Sequence, residues 1–125
     1  MPWDGSPGAG FTGPGVTPWL PLGELSRTVG GQRGEPDSTL SLCRRLLALR
    51  RAELGGGIAG FGNLAAAGGQ WAYRAGGLVV AANFTDQPAD MPPEAGEILL
   101  TSSAGGTLAS AGVLRPWEGV ITRPA

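Results

Sequence analysis

The chain has 125 residues, of which 42% are apolar, so it can build one domain with an ordinary core. Nine arginines stand against ten acidic residues, lysine is absent, and four of the arginines lie close together at Arg44, Arg45, Arg50 and Arg51. Because no broad basic face is left, we expect no nucleic-acid partner.

Missing residue types remove several catalytic mechanisms. Without histidine, neither a Ser-His-Asp triad nor a Cys-His pair can form, and the most common metal ligand is absent. One cysteine allows neither an intrachain disulfide nor a thiolate zinc cluster, and the lack of lysine excludes a P-loop. The sequence therefore predicts no metal and no cofactor, and leaves either carboxylate chemistry or no catalysis at all.

The sequence also indicates where the chain is found in the cell. No stretch approaches the ~20 apolar residues that a membrane-spanning helix needs, so no membrane partner is expected. The N-terminal sequence Met-Pro-Trp-Asp-Gly lacks the basic and then apolar pattern of a signal peptide. These two features predict a cytoplasmic protein.

Residues 1–36 are predicted to form an irregular segment. Closely spaced prolines interrupt any helix there, and the glycines among them favour turns. Trp3, Phe11 and Trp19 also lie in this segment, and a solvated tail would not need such large apolar side chains. Because an irregular stretch of this length is unusual in a compact domain, we predict a functional loop that packs against something larger. Trp3 and Trp19 are candidates for stacking on sugar rings.

One helix is predicted, over residues 37–54. Pro36, Asp37 and Ser38 favour its start, and the three glycines of residues 55–57 end it. Its leucines and Cys43 fall within one half of the helical wheel. An apolar arc about 180° wide is broader than the ~100° stripe of an ordinary surface helix, so this pattern predicts a helix covered on two sides.

Residues 58–125 are predicted to be β-structure, because short apolar runs alternate with Gly, Pro, Asp or Ser turn residues. The predicted strands are residues 71–73, 78–84, 98–100, 113–114 and 120–122. The run GLVVAANFT is apolar on both faces, as in a central strand. The predicted fold class is mainly β: a small antiparallel β-sandwich preceded by an irregular loop and one amphipathic helix.

A glycine pattern suggests a nucleotide site but has a simpler interpretation. Gly55, Gly57 and Gly60 match the G-x-G-x-x-G pattern of dinucleotide-binding folds. In those folds the pattern follows a strand and opens a helix, whereas here it follows a helix. A plain linker is therefore the favoured hypothesis, and a titration with NAD would test the nucleotide-binding alternative.

Three further features are interpreted as structural. Asn83-Phe84-Thr85 is a glycosylation sequon, but it lies where a strand is predicted to enter a turn. Trp71 and Trp117 lie in or beside predicted strands and are assigned to the core. Six carboxylates could supply a catalytic pair, but no helical or strand spacing brings two of them together on a buried face. They are predicted to lie at the surface or in turns, and are Asp4, Asp86, Asp90, Glu94, Glu97 and Glu118.

The order of the segments resembles one enzyme family, the α-glucosidases and oligo-1,6-glucosidases of glycoside hydrolase family 13, in the α-amylase superfamily. MPWDGSPGAGFT followed by PWLPL is similar to the loop after the last barrel strand, and EPDSTLSLCRRLLALRRAE to the last barrel helix. LVVAANFTDQP, GEILLTS and LRPWEGVI resemble strands of the C-terminal β-domain. The resemblance covers residues 1 to about 121.

The resemblance implies three regions and a function. Residues 1–36 would be a barrel loop near the active-site mouth, residues 37–57 the last barrel helix and a linker, and residues 58–125 the C-terminal β-domain. The family's (β/α)₈ barrel hydrolyses α-glucosidic bonds with retention, using a nucleophilic Asp, an acid/base Glu and a second Asp. All three would lie before the equivalent of Met1, so no catalytic residue is carried into this chain.

The resemblance also implies partners and site residues. The missing (β/α)₈ barrel would be the partner, with oligosaccharide as the ligand of the intact enzyme, and the chain by itself would be inactive. Trp3 and Phe11 of the loop, together with Trp19, are the substrate-side candidates. Met1 matches a methionine that is internal in the family motif, so we expect a longer reading frame.

A second hypothesis is a free-standing β-sandwich module that binds oligosaccharide or another partner. It would use Trp3 or Trp19 for stacking. A change in tryptophan fluorescence on adding maltose or isomaltose favours this module, and the absence of a response favours the enzyme fragment.

Overall fold

The computed structural model describes residues 1–57, 60–103 and 112–124. The chain divides into two compact units, residues 1–44 and residues 45–125. The boundary falls inside the helix that spans Thr39–Leu54, so this helix contributes residues to both units. The predicted mainly β fold class is confirmed.

Residues 1–36 are irregular, as predicted, except for two short helical turns that the sequence did not suggest. A 3₁₀ turn spans Leu25–Arg27, and helix α1 spans Val29–Gln32. The Thr28 hydroxyl caps α1 by accepting a hydrogen bond from the backbone N–H of Gly31, at 3.0 Å. The N-terminus is tied to α1 by two backbone bonds: Val29 N–H donates to the Pro2 carbonyl and Gly30 N–H to the Trp3 carbonyl.

Helix α2 spans Thr39–Leu54, close to the predicted residues 37–54. The Ser38 hydroxyl accepts from the N–H of Ser41 at 3.2 Å and so caps its start. Gly55, with φ +53°, ends it in the left-handed conformation that glycine adopts at low cost. No residue of α2 is buried within this chain, so the expected cover on two sides stays a prediction that requires a partner.

The described residues of the second unit form seven strands in two antiparallel sheets. The main sheet has five strands in the order β1-β2-β3-β7-β5, and β4 pairs with β6 in a small second sheet. The strands are β1 Phe61–Asn63, β2 Gln70–Ala75, β3 Leu78–Asn83, β4 Ala89–Asp90, β5 Ala95–Thr101, β6 Val113–Leu114 and β7 Gly119–Pro124. The predicted strands are all present, while β1 and β4 were not predicted.

Strand β3 is the middle strand of the main sheet, as its apolar sequence predicted. It pairs with β2 on one side, where Val80 lies opposite Tyr73, and with β7 on the other, where Val80 lies opposite Ile121. On one face of this sheet, Ala72, Ala81 and Val120 pack with the fully buried Leu114 of β6. This contact between the two sheets is the core of the sandwich.

Candidate functional site

A groove in the first unit gathers two of the three predicted site residues. Phe11 and Trp19 line it with Met1, Pro2, Thr12 and residues 16–23, and its volume is about 610 Å³. The bend that forms it is held by a hydrogen bond of 2.9 Å from the Thr12 hydroxyl to the Val16 carbonyl. Pro18 and Pro21 also line the groove, and their rings restrict the backbone φ angles of its wall.

The groove is chemically suited to contact and not to proton transfer. Its indole Trp19 is 91% exposed, so the ring face is free for a partner. The other lining side chains are apolar or carry hydroxyl groups, and no carboxylate lines the groove. An exposed indole beside hydroxyl groups can stack on a flat apolar surface and bond to polar groups at its edge.

Trp3, the third predicted residue, lies outside this groove. Its backbone is fixed on both sides, since its N–H donates to the Ala9 carbonyl at 2.9 Å and its carbonyl accepts from Gly30 N–H at 2.8 Å. The side chain packs on Gly10, where an added Cβ would lie 2.7 Å from the Cβ of Trp3. Gly10 also has φ +75°, so a larger residue there would both clash with Trp3 and strain the backbone. The substrate-side role of Trp3, Phe11 and Trp19 stays a prediction.

Several carboxylates of the chain are held by hydrogen bonds or ion pairs. Asp4 closes a turn, and hydrogen bonds from the hydroxyl and backbone N–H of Ser6 lower the pKa of its carboxyl group. Glu53 and Glu97 both contact the guanidinium of Arg123, at 2.9 and 2.8 Å. These groups stabilise structure in the described chain.

Glu118 lies at the end of a turn, one of the two settings that the sequence analysis predicted, but it is buried and not at the surface. It is 1% exposed and accepts three hydrogen bonds. The donors are the hydroxyl of Thr101 at 2.6 Å, the hydroxyl of Ser103 at 2.7 Å and the backbone N–H of Arg115 at 2.8 Å. Burial raises the pKa of Glu118, but these bonds and the charge of Arg115 outweigh burial, so the pKa lies below its ordinary value.

Asn83 is a second buried polar residue, at the end of β3. Its amide donates to the carbonyls of Gln87 at 2.7 Å and Arg115 at 3.0 Å. Its side-chain oxygen accepts from the N–H and the hydroxyl of Thr85. Because this amide is buried and bonded on both sides, the asparagine of the sequon has a structural role in the fold, as predicted.

Trp71 and Trp117 are exposed, so their assignment to the core was wrong. Trp71 is 50% exposed on the main-sheet face opposite the sandwich core, 4.8 Å from the Tyr73 ring between centroids. Trp117 is 68% exposed in the turn before β7. The sequence misled here because an aromatic residue in a strand is usually buried, and which face a strand buries depends on distant partners.

The remaining predictions concern metals, membranes and the glycine pattern. Within residues 1–57, 60–103 and 112–124, no group of three potential ligands is placed to hold a metal ion. In the same residues, no helix has the length and apolarity to cross a membrane. Gly55 and Gly57 follow α2, and Phe61 begins a strand, so the glycine pattern does not open a helix in the described residues.

Comparison with known proteins assigns the chain to a family. Residues 59–121, about half of the chain, match the model of a domain of unknown function, DUF3459. The chain belongs to the DUF3459 family. A probable alpha-glucosidase of Rhizobium meliloti (strain 1021) is 43% identical over 54 residues, which is 42% of this chain and 9% of that protein.

Two solved structures resemble this DUF3459 chain over its whole length. The crystal structure of the alpha-glucosyl transfer enzyme XgtA is 26% identical with a TM-score of 0.70, and the chain covers 25% of it. A family GH13_31 enzyme shares the fold, with 20% identity, a TM-score of 0.70 and 23% of its length covered. The resemblance to the C-terminal part of a family 13 glycoside hydrolase is therefore confirmed. The chain spans only 9% of the curated relative and about a quarter of each solved structure.

Proposed function

We propose that this chain is the C-terminal part of a retaining α-glucosidase that acts on oligosaccharides in carbohydrate metabolism. Superposition of the whole chain on a quarter of an alpha-glucosyl transfer enzyme, with a TM-score of 0.70, carries this proposal. Sequence likeness to a probable alpha-glucosidase supports the same substrate class. The predicted cytoplasmic location stays part of the proposal.

In this proposal the chain has three parts. Residues 1–36 form a loop near the active-site mouth, residues 37–57 the last barrel helix and a linker, and residues 58–125 the β-domain. Phe11 and Trp19 present their groove to the oligosaccharide. The nucleophile, the acid/base residue and the third carboxylate belong to the barrel, so the chain supplies packing and a substrate-side surface but is inactive by itself.

Exposed apolar surface of the second unit supports a missing (β/α)₈ barrel as the partner. Leu47 of α2 is 52% exposed, and Leu46 is exposed as well. These leucines line a cleft of about 370 Å³ with Leu49 and with Trp71 and Tyr73 of the main sheet. Covering one such leucine contributes about 1.5–3 kcal/mol, so a partner that covers the cleft would stabilise the assembly substantially.

A chimera tests the proposal. The quarter of the alpha-glucosyl transfer enzyme XgtA on which this chain superposes is replaced by residues 1–125, and release of p-nitrophenol from p-nitrophenyl α-glucoside is measured. We expect the chimera to release p-nitrophenol and the isolated chain to release none. Hydrolysis by the isolated chain, or a chimera that folds but is inactive, would overturn the proposal.

A pair of variants on α2 makes the test specific for barrel packing. Leu47→Asp places a charge on the apolar half of the helix, whereas Ala48→Asp places the same charge at an exposed position on the other half. We expect Leu47→Asp to lower the thermal stability and activity of the chimera and Ala48→Asp to leave both near the starting level. Equal effects of the two variants would show that this face of α2 has no partner.

A further inference from the structure

The turn before β7 holds a tryptophan in a conformation that favours glycine. Residues 115–118 form the turn, closed by a hydrogen bond from Glu118 N–H to the Arg115 carbonyl at 3.2 Å. Trp117 occupies its third position with φ +58°. A bulky residue at positive φ is an outlier that persists only when its surroundings impose it.

Buried polar groups on both sides of the turn impose this conformation. The Glu118 carboxylate, held by Thr101 and Ser103, accepts from the N–H of Arg115. The Asn83 amide donates to the carbonyl of the same arginine. In addition, Trp117 N–H donates to the Thr85 carbonyl at 3.2 Å, which ties the turn to the loop that follows β3.

Burial of the indole ring does not offset this backbone strain, because Trp117 is 68% exposed. A glycine would satisfy the turn better, and a small polar residue would suit the exposure better. An exposed ring that is fixed at a backbone cost points to contact with a molecule outside the domain.

The loop after β3, whose Thr85 carbonyl accepts the hydrogen bond from Trp117, also lines a groove of about 800 Å³ with both polar and apolar walls. Thr85 is the shared residue, since it bonds Trp117 through its carbonyl and lies in the groove wall. Phe84, directly before it, is exposed and adds a second aromatic ring at this end of the sheet. The groove is lined by residues 65–68, Gln70 and residues 85–93.

The lining chemistry selects the class of ligand. Two carboxylates, Asp86 and Asp90, and two amides, Gln70 and Gln87, offer acceptors and donors, while the lining includes no arginine. An anionic ligand would meet like charge there, whereas a neutral ligand rich in hydroxyl groups carries the donors and acceptors that carboxylates and amides bind. The apolar C–H face of a sugar ring matches an exposed aromatic ring beside such groups.

We infer that Trp117 and the groove beside it form a second, non-catalytic site for a neutral oligosaccharide, with the indole as the stacking surface. That the sugar is an α-linked glucan rests on the proposed function. The site lies in the second unit and shares no residue with the Phe11 and Trp19 groove.

Calorimetric titration of the isolated chain with maltotriose tests the site. We expect binding at millimolar concentrations, weakened about tenfold or more by Trp117→Gly, because aromatic residues dominate such contacts. Trp117→Phe keeps an aromatic ring and should restore most of the binding. Asp86→Asn should weaken binding severalfold, since it replaces one acceptor oxygen of the groove wall with an N–H₂ donor and removes the charge.

Thermal unfolding of the same variant separates binding from folding. Trp117→Gly should unfold at the starting temperature or above it, because glycine relieves the positive φ. A lower unfolding temperature would assign the ring to the fold and overturn the inference. So would unchanged maltotriose binding in Trp117→Gly, no binding by the starting chain, or loss of binding in Trp71→Ala with binding kept in Trp117→Gly.

These outcomes are distinct from failure of the proposed function. Maltotriose binding by the chain together with an inactive, folded chimera would keep the sugar site and reject the α-glucosidase fragment. An active chimera, together with no maltotriose binding by the isolated 125-residue chain, would keep the α-glucosidase fragment and reject the sugar site.

Discussion

The two compact units differ in what holds them together. In residues 1–44 the buried side chains are small, such as Ala9, Thr28 and Val29, while Trp19 and other large apolar side chains stay exposed. In residues 45–125, Leu114 and Val79 are fully buried between paired strands. Backbone hydrogen bonds and prolines thus define the shape of the first unit, but only the second has the apolar burial that gives a domain most of its stability.

The largest expected effect comes from the core of the second unit. Leu114→Ala should lower the free energy of unfolding by about 2–5 kcal/mol, because it removes a fully buried side chain and leaves a cavity between the sheets. Chemical denaturation, followed by the circular dichroism signal of the β-structure, measures this loss of unfolding free energy. The matched control is Leu20→Ala in the first unit, where an exposed leucine should change unfolding by less than about 0.5 kcal/mol. Similar effects at both positions would contradict the comparison.

The next largest effect is expected at the buried carboxylate of Glu118, in the second unit. Glu118→Gln keeps an acceptor for Thr101 and Ser103 but turns an amide N–H₂ toward the N–H of Arg115. We expect a loss of about 1–3 kcal/mol at neutral pH, since one buried donor loses its partner. Denaturation curves of both proteins at neutral pH give this value, and no loss would show that the carboxylate is dispensable.

The same variant has a signed pH dependence. The pKa of Glu118 is lower in the fold than its ordinary value of 4.5, so the unfolded chain binds the proton more tightly. The stability that Glu118 contributes is therefore complete above about that value and is lost as the pH falls through the lower, folded pKa. In Glu118→Gln this acid-dependent component should disappear, and an unchanged acid profile would refute its assignment to Glu118.

The contrast between the units also explains what the sequence could predict. Helix α2 and strand β3 follow from local patterns, since Ser38 and Gly55 bound the helix and GLVVAANFT is apolar on both faces. Strands β1 and β4 are only three and two residues long and carry glycine or alanine, so their pairing partners, and not their own sequence, define them. Helix α1 was missed because two of its four residues are glycine.

The arrangement of the candidate residues could be predicted only where residues near one another in the sequence line the same groove. Phe11 and Trp19 are close in sequence and share one groove. The burial of Glu118 depends on Thr101, 17 positions earlier, and its setting had no local pattern to reveal it. A glutamate directly after a Pro-Trp turn could have suggested a carboxylate bonding back to its own turn, as it does to Arg115.

In the first unit, a smaller and local effect is expected at Thr28. Its hydroxyl caps α1 and is buried, so Thr28→Ala should cost about 1 kcal/mol. Because this unit has little core, the change should raise amide hydrogen exchange in residues 29–33 without altering exchange in β3. The conservative variant Thr28→Ser keeps the hydroxyl and should restore protection. Faster exchange in β3 as well would mean that the two units unfold together.

The smallest effect is expected at Arg123, whose guanidinium bridges Glu53 of α2 and Glu97 of β5. All three side chains are partly exposed, so solvent screens both ion pairs, and Arg123→Met should lower stability by about 0.5 kcal/mol or less. The effect should shrink further in high salt, because the charges lie at the surface. Denaturation at low and high ionic strength measures both. A loss as large as that at Leu114, persisting in high salt, would mean that this bridge and not apolar burial holds the second unit together.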